Sequence, residues 1–431
     1  MSKYAAILQV EDPRIAMMFD VASEAESLNS LLLDDPYPSF MRLLKAGAVQ
    51  KGSLAELMGY KRSDGGPFHH HMENETIYTA FSFKANFEAF TDNDTYSNRA
   101  YYTAGFPQTL GETILNKSGL EHRQMRGPMQ PLFTRHMAET WWTDSIIQET
   151  VDILIAKIEK KGRADLFLEL CARMPVHVMA ASLGVEPEDY IPCRMAVCDI
   201  LSETVTPEQR AKGIADSERL IKKTIEARRR EPQDDLISKL IAAISEENGR
   251  SRQYTDDEIV ALCRLGILAG GGTTWRQLGI TLFALLNNPD QFEAIKADRA
   301  LVDQAIIEAT RWHTTDQIFP RRVECDATLA GVEIPKGALL HLCLGAANRD
   351  PSRWENPDKY DIFRPVQRNL AFGGGAHSCI GQHVARQEMK VALNAIIDRL
   401  PNVRWDPAQP QPKIIGGLFQ RGPSAIPVVF G

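Results

Sequence analysis

The sequence predicts one large, mainly α-helical unit with small β-sheets, and three observations predict it. Helical periodicity dominates residues 140 to 310, as in "WWTDSIIQETVDILIAKIEKKG", with a stop expected at Gly162. One stretch, "TDDEIVALCRLGILAGGGTTWRQLGITLFALLNNP", is apolar on nearly every side, so it belongs in the middle of a core rather than along a surface. Strand-like runs are short and lie towards the two ends of the chain. With 431 residues, 44% of them hydrophobic, the chain can bury a large core. Residues 1–431 are read as a single domain, with residues 1–34 as an N-terminal extension.

Each element follows from local signals. "PYPSFMRLLKAGAV" reads as a short helix entering a strand, and "AVQKGSLAELMGY" and "ETIYTAFSFKANFEAF" mix strand and helix signals. In the apolar stretch, Thr255 with Glu258 makes a capping box and Asn287-Asn288-Pro289 ends the helix. Short strands return in "ATLAGVEIPKGALLHL", with a turn at Pro335–Gly337, and a last pair falls in "PKIIGGLFQRGPSAIPVVFG". There is no repeat, low-complexity segment or Gly/Ser linker.

The net charge of −7, from 56 acids and 49 bases without long runs, is not the basic footprint of a nucleic-acid binder. Seven cysteines at irregular spacing argue against a disulfide framework and for a reducing cytoplasm. The first residues, "MSKYAAILQVEDPRIAMMFD", place acids inside any apolar window, so no signal peptide or membrane anchor is expected. His69 to His71 read as a solvated loop, because adjacent residues cannot all converge on one ion. Cys193 and Cys198, on a helix-like stretch, read as buried thiols.

Two glycine clusters call for an explanation. Gly270, Gly271 and Gly272 interrupt the apolar helix at a cost on the order of 3 kcal/mol against alanine. Two readings stay open: close approach by another helix, or a flat ligand lying against this stretch with Thr273 or Thr274 offering a hydroxyl. The second cluster is "FGGGAHSCIG", residues 372–381, with four glycines around Cys379. His377 is poorly placed to activate Cys379 as a nucleophile, and a zinc site would need further cysteines or histidines. A single thiolate ligand to heme iron needs a tight turn and a helix start behind it. "IGQHVARQEMKVALNAIIDRL" supplies that helix, with Met389, Leu393, Ile396 and Leu400 on its apolar face.

Phe372, Gly373, Gly375, His377, Cys379 and Gly381 together resemble the heme-binding signature of the cytochrome P450 family. Three further motifs follow the family's order. Glu308 and Arg311, one helical turn apart, resemble its scaffold pair, with Arg364 in "YDIFRP" as the second arginine. His122 and Arg126 in "HRQMR" resemble its propionate clamp, to which Arg321 and His377 would be added; Arg322 beside Arg321 leaves a one-residue ambiguity. Ala269 to Thr274 resemble the oxygen-binding stretch of its central helix, except that Gly272 stands where the family has an acid.

The resemblance implies a cytochrome P450 fold, heme b ligated by Cys379, and O2 as co-substrate. One oxygen atom would enter a small apolar substrate, aromatic or terpenoid in kind. Electrons would come ultimately from NAD(P)H through a separate ferredoxin and ferredoxin reductase, received near Arg123 or Arg386. Thr273 and Gly272 mark the catalytic stretch. The pocket would draw on Phe87 to Leu115, Leu268 and Ala269, Thr314 to Phe319, and Leu418–Phe419. Alternatives are a heme-thiolate enzyme that uses peroxide or rearranges its substrate, and a heme sensor without turnover.

Overall fold

The computed structural model describes residues 19–27, 30–62, 74–103, 106–202, 204–247 and 250–431. His69 to His71 lie outside them.

The core is built around the apolar helix, Asp256–Asn287. Its Thr255–Glu258 capping box forms, and the chain then turns at Asn288 into the helix Pro289–Ala297. Side chains on every face of this central helix are buried, including Ile259, Leu262, Trp275, Leu278 and Leu285. Its neighbours include the helices Arg173–Leu183, Pro187–Leu201, Leu301–Trp312 and Gln382–Arg399.

The helical middle differs from the sequence expectation in two places. Ala138–Ile147 winds as a π-helix before Gln148–Ile158 continues as α-helix; the Thr143 hydroxyl donates to the carbonyl of Ala138, five positions back, at 2.7 Å. The helix stops at Ile158, and Gly162, at φ +69°, shapes the turn into the strand Arg163–Asp165. A hairpin of Ile244–Glu247 and Arg250–Gln253 also breaks the helical run.

The main sheet comprises β1 (Val49–Lys51), β2 (Ile77–Ala80), β3 (Tyr96–Ser97), β4 (Ile318–Val323) and β5 (Leu339–Cys343). Its order is β1-β2-β5-β4-β3, with β5 parallel to β2 and antiparallel to β4. Gly337, at φ +86°, serves the expected turn before β5. The last pair forms from Ile414–Gly416 and Arg421–Pro423.

Glu308 and Arg311, both buried, form a bidentate pair at 2.7 and 2.8 Å. Arg364 reaches the same carboxylate at 3.3 Å, and Arg311 also donates to the carbonyls of Pro357 and Lys359. The helix Val21–Ser27 packs on the last strand pair, while Phe19 sets its ring edge-on to Trp275 at 5.4 Å. Among the described residues no single helix is long and apolar enough to cross a membrane.

Candidate functional site

The cysteine loop is held by its own backbone. The Cys379 N–H donates to the Phe372 carbonyl at 2.9 Å, and Gly373 and Gly375 both adopt φ +66°, a region that penalises side chains. Gly375 has a second requirement, since a Cβ there would run into the Phe90 carbonyl. Gly381 caps the helix Gln382–Arg399, and a Cβ on it would meet nothing within 4 Å. Phe372 lies under the Arg386 guanidinium at 5.0 Å.

Cys379 opens onto a cavity of about 1010 Å³. The area it exposes faces this cavity, so desolvation pushes its thiol above the ordinary value; the Gly381 N–H, Arg126 and Arg386 draw it back only in part. The helix start favours the thiolate through the Gly381 N–H, while burial opposes it. Coordination to a metal would remove the proton outright.

Four polar side chains gather beside the cysteine. The His122 and His377 rings lie 3.9 Å apart. Burial, reinforced by neighbouring arginines, holds His122 at about 4 and His377 at about 2, so both are neutral. Asn98 Nδ2 donates to His377 Nδ1 at 3.0 Å, which leaves the His377 proton on Nε2. Arg126 donates to the Ser378 carbonyl at 2.8 Å. Arg321 is buried, lines the cavity and donates to the Pro320 carbonyl at 2.9 Å. Arg322, the alternative, turns to Glu75 at 2.9 and 3.0 Å, because successive residues of β4 face opposite sides.

This group matches the acidic edge of a heme. Among the described residues no carboxylate pairs with Arg126 or Arg321, and His122 Nε2 and Arg321 Nε are buried without a hydrogen-bond partner. Buried cations and orphaned ring or guanidinium nitrogens fit carboxylates through charge-assisted hydrogen bonds. Asn98 was not foreseen, since only the fold sets it against His377.

The three glycines of the central helix serve different ends. A Cβ at Gly270 would lie 2.5 Å from Met179 Cε, and one at Gly271 would lie 2.9 Å from Arg194 Nη1 and 3.3 Å from Val176. A Cβ at Gly272 would meet nothing within 4 Å, and Gly272 lines the cavity. Helix packing thus accounts for the first two, and cavity space for the third. Thr273 lines the same cavity, its hydroxyl donating to the Ala269 carbonyl at 3.0 Å. Thr274 is buried and turns to Glu388.

Of the expected aromatic lining, Phe90, Tyr101, Phe106, Phe319 and Phe419 reach the cavity. Phe87 stacks on Phe83 at 6.0 Å instead, and Tyr102 points outward to Glu112. Cys193 is buried as expected, whereas Cys198 is only half-buried and faces the cavity. The N-terminal helix, read as an extension, also lines it through Ser23, Glu24 and Ser27. Arg276, one turn beyond Gly272, is buried and bonds both the Gly272 carbonyl and Glu24. An arginine inside an all-round apolar helix was its sequence signal; Glu24 had none.

Comparison with known proteins agrees with this geometry. The family model for Cytochrome P450 matches residues 207–424. Cytochrome P450 107B1 of Saccharopolyspora erythraea is 30% identical over 325 residues, covering 75% of this chain and 78% of that protein. Pulcherriminic acid synthase of Bacillus subtilis is 30% identical over 354 residues, covering 78% of this chain and 85% of that one. The crystal structure of CYP109E1 from Bacillus megaterium in complex with corticosterone superposes with a TM-score of 0.77 at 26% identity, over 92% of this chain and 98% of that one. The chain belongs to the cytochrome P450 family, whose members use heme iron and O2, and is a P450 monooxygenase.

Proposed function

We propose that this P450 monooxygenase binds its heme iron through Cys379 and oxygenates a small, largely apolar substrate in the cavity above the cysteine loop. A separate ferredoxin and its NAD(P)H-dependent reductase supply the electrons, and the enzyme acts in the cytoplasm. The observation that carries the reading is convergence: Cys379, the Arg126–Arg321–His122–His377 group and the Gly272–Thr273 wall all border one cavity or its edge.

When bound, heme supplies the reductive activation of O2, with one oxygen atom going to substrate and the other to water. The chain's own residues set the conditions. Arg126, Arg321, His122 and His377 hold the acidic edge and fix its orientation. Gly373 and Gly375 keep the loop backbone tight around Cys379 Sγ. Phe90, Phe106, Phe319 and Phe419 exclude water and favour an apolar substrate body. Thr273 keeps a hydroxyl on the cavity wall, and the space beside Gly272 admits water to which Oγ1 can pass a proton. Arg123, exposed on the helix Gly119–Arg126, is offered to an acidic redox partner, as is the part-exposed Arg386.

A second reading has one observation in its favour: no carboxylate stands at position 272, so a peroxide-using or rearranging enzyme would lose nothing there. Product formed per NADH consumed, with a surrogate ferredoxin and reductase, is to be compared with a peroxide-driven reaction. The monooxygenase reading expects NADH-driven product and a sharp rise in peroxide release in Thr273→Ala. Product from peroxide alone, with Thr273→Ala coupling as well as wild type, would replace it by the second reading. Cys379→Ala should abolish the carbon monoxide absorption band of thiolate-ligated heme.

A further inference from the structure

The cavity wall carries an acid cluster that the oxygen chemistry above does not use. Arg276 is 1% exposed, lies 4.2 Å over the Trp275 ring, and binds the Gly272 carbonyl and the Glu24 carboxylate. Asp316, which lines the cavity from the segment before β4, bears on the same guanidinium through its charge without pairing with it. Its Oδ1 accepts from Gln420 Nε2 at 2.8 Å, and a backbone bridge to Gln420 fixes its position. Among the described residues its Oδ2 has no hydrogen-bond partner, and no cation lies within ion-pairing distance of it.

The charges do not balance. Arg276, the buried guanidinium nearest in charge to Asp316, is already paired with Glu24, and Asp316 lies beyond ion-pairing distance of it. The other cations on this cavity are engaged elsewhere: Arg194 binds the carbonyls of Ile267 and Gly271, and Arg210 those of Ile200 and Ser202. Arg126 and Arg321 face the edge assigned to heme. Asp199 faces Lys212. Asp316 lines the same cavity as Tyr101 and Cys379. A negative group in an apolar enclosure without a full counter-charge is costly unless a ligand supplies one.

We propose that Asp316 is a substrate anchor, and that the substrate class is an apolar body bearing one amine cation. Gln420 orients the carboxylate, while the Glu24–Arg276 pair keeps Arg276 from neutralising it. The desolvated carboxyl sits at about 6, burial being the main cause, so it is mostly ionised at neutral pH. This rests on reading the cavity as the substrate chamber of a heme monooxygenase.

The test uses heme-loaded enzyme and three probes with one apolar tail: decyltrimethylammonium, decanol and decanoate. The quaternary nitrogen has no lone pair with which to ligate iron. Calorimetric titration of wild type should show the cation binding at least about ten-fold more tightly than decanol, and decanoate most weakly. Asp316→Asn should remove that preference while changing decanol affinity less than about two-fold. Glu24→Gln should reduce the preference, because Arg276 is then released towards Asp316. Equal binding of cation and decanol by wild type, or an unchanged preference in Asp316→Asn, would overturn the anchor. Should Asp316→Asn fail to load heme, the wild-type ranking and Glu24→Gln decide the matter. The carbon monoxide band, recorded on each sample, separates failure of the anchor from failure of the heme-thiolate reading.

Discussion

His122 and His377 lie ring against ring, their centroids 3.9 Å apart and their planes tilted by 34°, on elements far apart in the chain. Two neutral imidazoles in contact, with Arg126 and Arg321 on the same cavity, are the group proposed above to hold the carboxylates of heme.

Cofactor retention should therefore depend on Arg321 and not on Arg322. Losing one charge-assisted hydrogen bond costs about 1.5–3 kcal/mol, so Arg321→Ala should speed heme loss to a scavenger apoprotein about ten- to hundred-fold. Arg322→Ala, which removes contacts with Glu75 and the Gly337 carbonyl and does not touch the cavity, should leave that rate unchanged. Equal effects of the two substitutions would contradict the assignment.

The Glu308–Arg311 pair should matter for folding rather than for chemistry. Truncating either partner leaves a buried charge uncompensated, at about 3–5 kcal/mol. Denaturant melts of Arg311→Ala should show a loss of that order, together with poor heme loading. Arg364→Ala should cost less, because its contact with Glu308 is longer, at 3.3 Å, and backbone carbonyls share its guanidinium.

Alanine should be tolerated unequally along the glycine run. Gly272→Ala meets only open space and gains helix propensity, so it should be neutral or stabilising by up to about 1 kcal/mol. Gly271→Ala must displace Arg194 and Val176 and should destabilise. Chemical denaturation of the two variants gives the order directly.

Stability should fall as pH rises, through Glu388. Burial holds this carboxyl protonated up to about 8, against an ordinary 4.5. Between these values the unfolded chain has lost the proton and the folded one keeps it, so stability is full at low pH. It then declines by at most about 1.4 kcal/mol per pH unit and levels off above the folded value. Glu388→Gln should flatten this slope; an unchanged slope would show that another group carries it.

What the sequence determined by itself is local. The cysteine loop lies within ten consecutive positions, where positive φ and close backbone approach leave glycine as the residue that fits, so its chemistry is legible without a fold. The same holds for the Thr255 cap, for Glu308 and Arg311 one helical turn apart, and for the apolar face of the helix after Cys379. Tertiary structure decided whatever depends on which distant surfaces meet. Strand pleating in β4 sends Arg321 inward and Arg322 to Glu75, and packing by Met179 and Arg194 divides one glycine run into contact and cavity. Glu24, Arg276 and Asp316 come together from three separate segments, and no spacing in the chain encodes that meeting. Their joint charge is a property of the enclosure, because only desolvation makes a carboxylate without a paired cation consequential.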